Sequence, residues 1–349
     1  MSNLNRAARA AQYVVFSVCA LTLVSVGIGQ IGLLDLYSTS FAFEPGPWFA
    51  ENIAPAVGRP DYCIVIGAST AREGFDPGIL ARQAPGAKFV NAATTGGNIE
   101  VIEIQAQILA RYRVRPKCVI VGVHPFLMSP EFPPLLASTG YLAHLGVPGV
   151  FLLSNRSLLV REFRELVLAM VLPLKLHADW LNKLTRHKLF KLQRRFRSRP
   201  LPIDAYQYFG DEFKSGANAH YDDIHAEPQR VAELIKKRYD SYQFESSIPV
   251  VSFRRALALI RRETEIVLVV TMPNQEALVA LNAKGRTRYD EAIGKIDVLQ
   301  IDCSRLVSDD HFIDDAHLDS DGRRILSSAI GKAMSAALAG SAKSLTCAD

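Results

Sequence analysis

The segment "YCIVIGASTAREGFDP", residues 62–77, joins a continuous apolar run to a turn of small residues and then to a helical pattern. A run of Val and Ile without polar alternation is typical of a strand that is covered on both faces of a sheet. Similar runs lie at 88–93, 117–123, 265–272 and 296–304. Helical patterns occur between them at 76–84, 98–113 and 252–264, and a terminal helix is indicated at 318–338. This alternation predicts an α/β fold with a doubly wound parallel sheet and right-handed crossovers.

The N-terminus predicts a membrane anchor. From Tyr13 to Leu34 the chain is apolar and carries no charge, and at about 1.5 Å per residue it can span a hydrocarbon core of about 30 Å. A cleaved signal peptide is the alternative, but no convincing small-x-small site follows. Arg6 and Arg9 precede the run, so the positive-inside rule keeps the start of the chain in the cytoplasm. We therefore expect a single-pass protein of the inner (plasma) membrane with a periplasmic domain.

A long insertion separates the third predicted strand from the fourth, since the intervening chain far exceeds one crossover helix. Residues 151–200 hold twelve Lys and Arg against three acids, a local charge of +9 in a chain of net charge +5. Such a basic, amphipathic segment suits anionic lipid or a membrane-embedded partner, and equally a solvated helical hairpin; nucleic acid is a poor partner for an exported domain. The predicted organisation is a cytoplasmic tail (1–12), an anchor (13–36), a linker (37–60), an α/β domain (61–125 and 250–340) and a basic helical insertion (126–249).

The cysteines show neither the spacing of a metal site nor a recognisable disulfide pattern. Cys19 lies in the predicted anchor and Cys347 in the tail, while Cys63, Cys118 and Cys303 lie in or beside apolar runs. We expect buried free thiols, although Cys63 and Cys118 could lie on neighbouring strands.

Two predicted strands end in turns that carry candidate functional groups. In open parallel sheets such groups gather beyond the carboxyl ends of the strands. Ser69 follows the first strand, where a serine can present its hydroxyl to a ligand or simply cap a helix. Gly96 and Gly97 follow the second strand, where a backbone N–H can approach a ligand closely. The two turns are predicted neighbours.

The segment "FIDDAHLDSDG", residues 312–322, holds four aspartates and a histidine. A solvated acidic turn, a calcium loop and a catalytic acid–base pair are the alternatives. The EF-hand spacing is not reproduced, and the glutamate at its last ligand position is lacking. A serine nucleophile needs a base, and the base needs a partner that fixes its tautomer. Asp314 and His317, three residues apart, can supply both to Ser69, and this chemistry requires no metal or cofactor.

These motifs together resemble the SGNH (GDSL-type) hydrolase superfamily: a strand leading into "IGASTAREGFDP", a second Gly/Asn-containing block and a terminal "DxxHLxxxG". The resemblance covers the strand framework and leaves out the insertion. It implies a flavodoxin-like sheet, with Ser69 as nucleophile, His317 as base and Asp314 as the acid that orients the base.

The anchor and the phrase "VIVGVHPFLMSPEF" resemble the membrane-anchored branch of that superfamily, which includes the D-alanyl transfer protein of lipoteichoic acid modification and the SGNH-like proteins of alginate O-acetylation. The resemblance implies acyl transfer onto an envelope polysaccharide beside a membrane-bound O-acyltransferase. An esterase with the same site, and a non-catalytic accessory whose insertion binds lipid or a membrane partner, are the alternatives.

One block departs from the superfamily. At the end of the third strand, His124 stands in place of the Asn that usually serves as an oxyanion-hole donor in the superfamily. His124 is therefore a candidate donor, as are the N–H groups of Ser69 and of Gly96 or Gly97. Arg72 is a candidate for an anionic substrate, and Asn274, after the fourth strand, for the border of the same cleft.

Overall fold

The computed structural model describes residues 45–340, apart from 96, 131–135, 137–139, 172–238, 240–241 and 295, together with Tyr13, Ser17, Ala20 and Cys347. Its centre is one five-stranded sheet in which every pairing is parallel. The strands are β1 (Tyr62–Gly67), β2 (Lys88–Asn91), β3 (Cys118–Val123), β4 (Ile266–Thr271) and β5 (Leu299–Asp302). All five predicted strands are confirmed, and the spatial order β2-β1-β3-β4-β5 is that of flavodoxin-like sheets.

Helices cover both faces of the sheet, as the continuous apolar runs predict. In chain order they are α1 (Pro45–Ile53), α2 (Ser69–Gly74), α3 (Pro77–Gln83), α4 (Ile99–Arg111), α5 (Tyr141–Phe151), α6 (Arg156–Val171), α7 (Ile248–Glu263), α8 (Glu276–Ile293) and α9 (Ser320–Leu338), with 3₁₀ turns at Ala54–Ala56, Pro125–Met128 and Asp309–His311. The apolar core on one face includes residues of α1 and α4–α8, and the core on the other includes residues of α2, α3 and α9. The doubly wound α/β prediction is therefore confirmed.

The predicted linker is in part a folded element. Helix α1 begins with prolines in its first turn, where a missing N–H costs nothing. Phe49 and Ile53, four residues apart on one side of the helix, are fully buried in the core. Residues of the segment 45–56 therefore pack in the core of the sheet, within the stretch predicted to be a linker.

The described helices of the insertion, α5 and α6, pack against the main domain. Tyr141 and Leu145 of α5 and Leu158 of α6 are buried in the same core as the sheet. Buried carboxylates hold this packing: Glu103 of α4 accepts hydrogen bonds from the backbone N–H and the hydroxyl of Ser154, at 3.0 and 2.9 Å. Residues 172–238, which include most of the basic segment 151–200, lie outside the described residues.

The expectation of free thiols is wrong. Cys63 and Cys118 lie directly opposite each other on β1 and β3 and form a disulfide. A second disulfide joins Cys303, just after β5, to Cys347. Sequence spacing does not reveal the first pairing, because it depends on β1 and β3 being neighbours in a particular register.

The predicted anchor lies almost entirely outside the described residues; within it only Tyr13, Ser17 and Ala20 are described, each with helical backbone. No helix in the described part of the chain is long and apolar enough to cross a membrane.

Candidate active site

One cavity lies beyond the carboxyl ends of β1 and β3. These two strands are neighbours in the sheet although β2 separates them in sequence, and such a switch in strand order is where open α/β sheets bind ligands. The residues that line the cavity are Ala68, Ser69, Thr70, Gly97, His124, Phe126, Leu127, Tyr239, Tyr242, Ala316 and His317. Four predicted site residues, namely Ser69, Gly97, His124 and His317, therefore meet at one place.

Ser69 is the first residue of α2, and its position depends on the turn before it. Gly67 has φ +145°, which an L side chain rarely adopts, and a Cβ there would lie 2.5 Å from the carbonyl oxygen of Gly122. The Gln105 side chain holds the same residue from both sides, accepting from its N–H at 3.1 Å and donating to its carbonyl oxygen at 3.1 Å. Ala68 occupies the helix-cap position, so the alternative role of Ser69 as a cap is wrong.

Asp314 and His317 form the predicted pair. The Nδ1 of His317 lies 2.7 Å from Oδ2 and 2.9 Å from Oδ1 of Asp314. Oδ1 also accepts the backbone N–H groups of Ala316 and His317, at 2.9 and 2.8 Å, so the turn itself aims the carboxylate at the imidazole. With its Nδ1–H held in this way, neutral His317 has Nε2 free to accept a proton.

The electrostatics of the pair favour a basic imidazole. Burial alone would lower the pKa of His317, but the charge and hydrogen bond of Asp314, with smaller contributions from Glu73 and Asp315, raise it above its usual value. Burial likewise would raise the pKa of Asp314, yet His317 and the two backbone N–H groups lower it to about 2. Asp314 therefore remains ionised at neutral pH and stabilises the imidazolium that proton uptake creates.

His124 is a fully buried imidazole at the cavity wall. Neither of its ring nitrogens has a hydrogen-bond partner among the described residues. Burial, with a smaller effect from the charge of His317, lowers the pKa of His124 to about 3. The ring is therefore neutral at physiological pH and offers one N–H donor, and such a buried donor without a partner is costly unless a ligand or water meets it.

Gly97 brings the β2–α4 turn close to the serine. A Cβ at this position would lie 3.1 Å from the Cα of Ala68, so a side chain would push the two turns apart. Gly96 lies outside the described residues.

Two predicted residues lie away from the cavity lining. Arg72 is buried with its guanidinium 4.4 Å from the centre of the Trp48 ring and 3.6 Å from the carboxylate of Glu73. Asn274 is buried and donates its side-chain N–H to the carbonyl oxygen of Gln275. Neither side chain contributes to the wall of the cavity, so these placements support structural roles.

The acidic turn contains a group of potential metal ligands, Asp314, Asp315 and His317, whose ligand atoms lie within 4.8 Å of one another. Those atoms already have protein partners. Asp314 binds His317, and Oδ2 of Asp315 accepts the hydroxyl of Tyr239 at 2.7 Å. This geometry fits an oriented base better than an ion site.

The far wall of the cavity is aromatic and was not predicted from the sequence. Phe126 stacks on the His124 ring with centroids 4.9 Å apart, and its ring lies 5.2 Å from that of Tyr239. Tyr239 and Tyr242 pack edge to face at 4.9 Å. We call Phe126, Tyr239 and Tyr242 the aromatic wall. The two tyrosines come from the end of the insertion, and the only sequence signal for them is two aromatics just before the chain returns to the sheet.

Ser69 and His317 line the same cavity, but no hydrogen bond joins their side chains in the described structure. Catalytic hydrogen bonds of this kind are often long in ligand-free enzymes and shorten when substrate binds. Comparison with known proteins adds no identification: neither a family model nor a curated protein matches the chain.

Proposed function

We propose that this protein is a membrane-anchored, extracytoplasmic SGNH-like O-acyltransferase that acts on a cell-envelope or exopolysaccharide carbohydrate. The observation that carries the proposal is the arrangement of Ser69, the Asp314–His317 pair and the unpartnered His124 around one cavity at the switch point of a parallel sheet. A nucleophile, a base with its orienting acid and a neutral hydrogen-bond donor are the groups that acyl transfer requires.

In the proposed reaction the Ser69 hydroxyl attacks the carbonyl carbon of an acyl ester while Nε2 of His317 takes its proton. Negative charge then forms on the carbonyl oxygen, which accepts hydrogen bonds from the ring N–H of His124 and from the backbone N–H groups of Ser69 and Gly97. Collapse of this intermediate breaks the ester bond, and His317 returns the proton to the departing alcohol. A sugar hydroxyl then attacks the acyl-serine by the reverse sequence, which releases the acylated sugar and restores Ser69. Bonds and protons balance without a metal or cofactor.

The two disulfides support an extracytoplasmic location, because disulfides persist in oxidising compartments and are rare in the cytosol. The uncharged N-terminal run with its preceding arginines supports the anchor and its orientation.

The first turns of α6 support contact with a membrane or a membrane-bound O-acyltransferase. Val160 and Phe163 are 81% and 66% exposed, and Arg156 and Arg164 are exposed beside them. Apolar and basic side chains together on one outward helix face suit an anionic bilayer surface better than bulk water.

Two other functions have a specific observation in their favour. An esterase would use the same site with water as acceptor, and the cavity is partly open, so water can enter. A non-catalytic accessory is favoured by the absence of a Ser69–His317 hydrogen bond among the described residues.

An acyl-transfer assay separates these three functions. The full chain in detergent is given p-nitrophenyl acetate with and without uronate or N-acetylglucosamine oligomers, and mass spectrometry detects acetylated oligomer. The transferase yields acetylated oligomer with wild type and with Ser308→Ala, an exposed serine without a capping hydrogen bond, but not with Ser69→Ala. Ser69-dependent release of acetate without acetylated oligomer indicates the esterase. No Ser69-dependent turnover at all refutes both enzymatic proposals.

A further inference from the structure

Thr70 is a buried cavity residue whose hydroxyl has no part in the reaction described above. It follows Ser69 in α2 and lines the same cavity. The residue is only 7% exposed, and its Oγ1 has no hydrogen-bond partner among the described residues. A buried hydroxyl without a partner costs free energy unless a ligand or water supplies the missing hydrogen bond.

The turn before α2 explains why the Thr70 hydroxyl is not bound to the backbone behind it. A threonine in a helix often donates its hydroxyl to a carbonyl oxygen of the preceding turn. Here that position is Gly67, whose carbonyl oxygen accepts the N–H of Thr94 at 3.0 Å and the side-chain N–H of Gln105 at 3.1 Å. Both lone pairs of that oxygen are thereby used. The Thr70 hydroxyl is therefore available to a molecule in the cavity.

His124 indicates that this molecule carries a hydrogen-bond donor. A neutral imidazole has one nitrogen that donates and one that accepts, and neither nitrogen of His124 has a partner among the described residues. In the proposed reaction the donating nitrogen binds the carbonyl oxygen of the ester. The accepting nitrogen still needs a donor, and an ester carbonyl has none. A hydroxyl group both donates and accepts, so it suits this nitrogen and the hydroxyl of Thr70 alike.

We propose that Thr70 binds a hydroxyl of the alcohol substrate that neighbours the reacting hydroxyl. The inference rests on the proposed acyl transfer and adds the residue that selects an alcohol with adjacent hydroxyls, such as a sugar. The N–H groups of His124, Ser69 and Gly97 already serve the oxyanion, so Thr70 remains for the alcohol. Because Thr70 adjoins the nucleophile, the hydroxyl that it meets must lie close to the reacting one.

The test compares two acceptors that differ by one hydroxyl, ethylene glycol and ethanol, with p-nitrophenyl acetate as donor and the full chain in detergent. Mass spectrometry measures the two acetylated alcohols. Both acceptors attack the same acetyl-enzyme, so the ratio of the two products does not depend on the rate of acylation. We expect wild type to prefer ethylene glycol by about tenfold, more than its second reactive hydroxyl alone would give. Thr70→Val should abolish this preference, and Thr70→Ser, which keeps the hydroxyl, should retain it.

The melting temperature is a second readout, and a purely structural role would move it in the opposite direction. Thr70→Val replaces an unpaired hydroxyl by a methyl group of the same shape, so we expect it to melt no lower than wild type. Thr264→Val is the matched control. Thr264 is similarly buried and lies outside the cavity, and its hydroxyl donates to the carbonyl oxygen of Pro116 at 2.8 Å. This variant should melt below wild type and keep the preference for ethylene glycol.

Wild-type protein that transfers acetyl to both alcohols equally would overturn the proposal. So would a folded Thr70→Val protein that keeps the wild-type preference. A Thr70→Val protein that fails to fold, or that melts as far below wild type as Thr264→Val, would show that the hydroxyl serves the fold and not the substrate. Ser69-dependent turnover without the preference refutes this inference alone, whereas no Ser69-dependent turnover of the ester refutes the proposed function as well.

Discussion

Replacing Asp314 by asparagine changes one atom at the centre of the proposed site. Oδ1 can still accept the N–H groups of Ala316 and His317, so the turn should keep its shape. Oδ2, which lies 2.7 Å from Nδ1 of His317, becomes an amide NH₂. Two donors would then face each other, unless the imidazole moves its proton from Nδ1 to Nε2.

That tautomer cannot accept the Ser69 proton, because Nε2 is already protonated. In a Ser-His-Asp protease the same substitution lowers kcat by about 10⁴, equivalent to about 5.4 kcal/mol of transition-state stabilisation. We expect a loss of about 10³ to 10⁴ in kcat/KM for p-nitrophenyl acetate, in a protein that still folds and melts cooperatively, although the lost charge lowers its melting temperature. The cooperative melting transition separates loss of the base from loss of the fold.

Asp321→Asn is the matched control. Asp321 lies in the same acidic segment, but its carboxylate is exposed and pairs with Arg324 on the surface. Such a pair contributes little to stability, and its loss should leave activity within about twofold. An Asp314→Asn protein that retains activity within tenfold of wild type would refute the assigned role of the carboxylate.

Three further predictions follow from the same geometry. Joint replacement of Cys63 and Cys118 by alanine should lower the free energy of unfolding in urea by about 4 kcal/mol, since the disulfide spans 55 residues. Five free thiols in denatured, unreduced wild-type protein would contradict the presence of this disulfide. Gln105→Leu should slow labelling by a fluorophosphonate by on the order of 10², because the turn before the nucleophile loses its two-sided clamp; unchanged labelling, equal to that of a Gln107→Leu control, would rule out the clamp. Esterase activity should rise with pH along a limb that lies above the usual pKa of histidine, about 6.5, because the raised pKa of His317 keeps the base protonated and inactive at lower pH; a limb below that value would contradict the raised pKa.

Much of the fold could be predicted because the apolar pattern of each strand indicates whether both of its faces are buried. A continuous run such as Ile64 to Ile66 is apolar at every position, so it needs cover on both faces, and a parallel sheet between two layers of helices supplies that cover. The Asp314–His317 pair could be predicted for a similar reason, because two residues three positions apart in one turn bring carboxylate and imidazole together.

The remaining features depend on contacts between distant parts of the chain. The Cys63–Cys118 disulfide requires both the strand order and the register, which no spacing encodes. Tyr239 reaches the cavity from the end of a long insertion, and its hydrogen bond to Asp315 joins residues 76 positions apart. Helix α1 was missed because Pro and Gly at its start are typical of a linker, although they also fit a helix N-terminus.

Labelling of the detergent-solubilised full chain with a fluorescent fluorophosphonate tests most directly whether Ser69 is an activated nucleophile. An activated Ser69 predicts that wild type and Ser308→Ala are labelled, and that Ser69→Ala and His317→Ala are not. Folded wild-type protein that remains unlabelled, or a Ser69→Ala protein labelled as strongly as wild type, would contradict it.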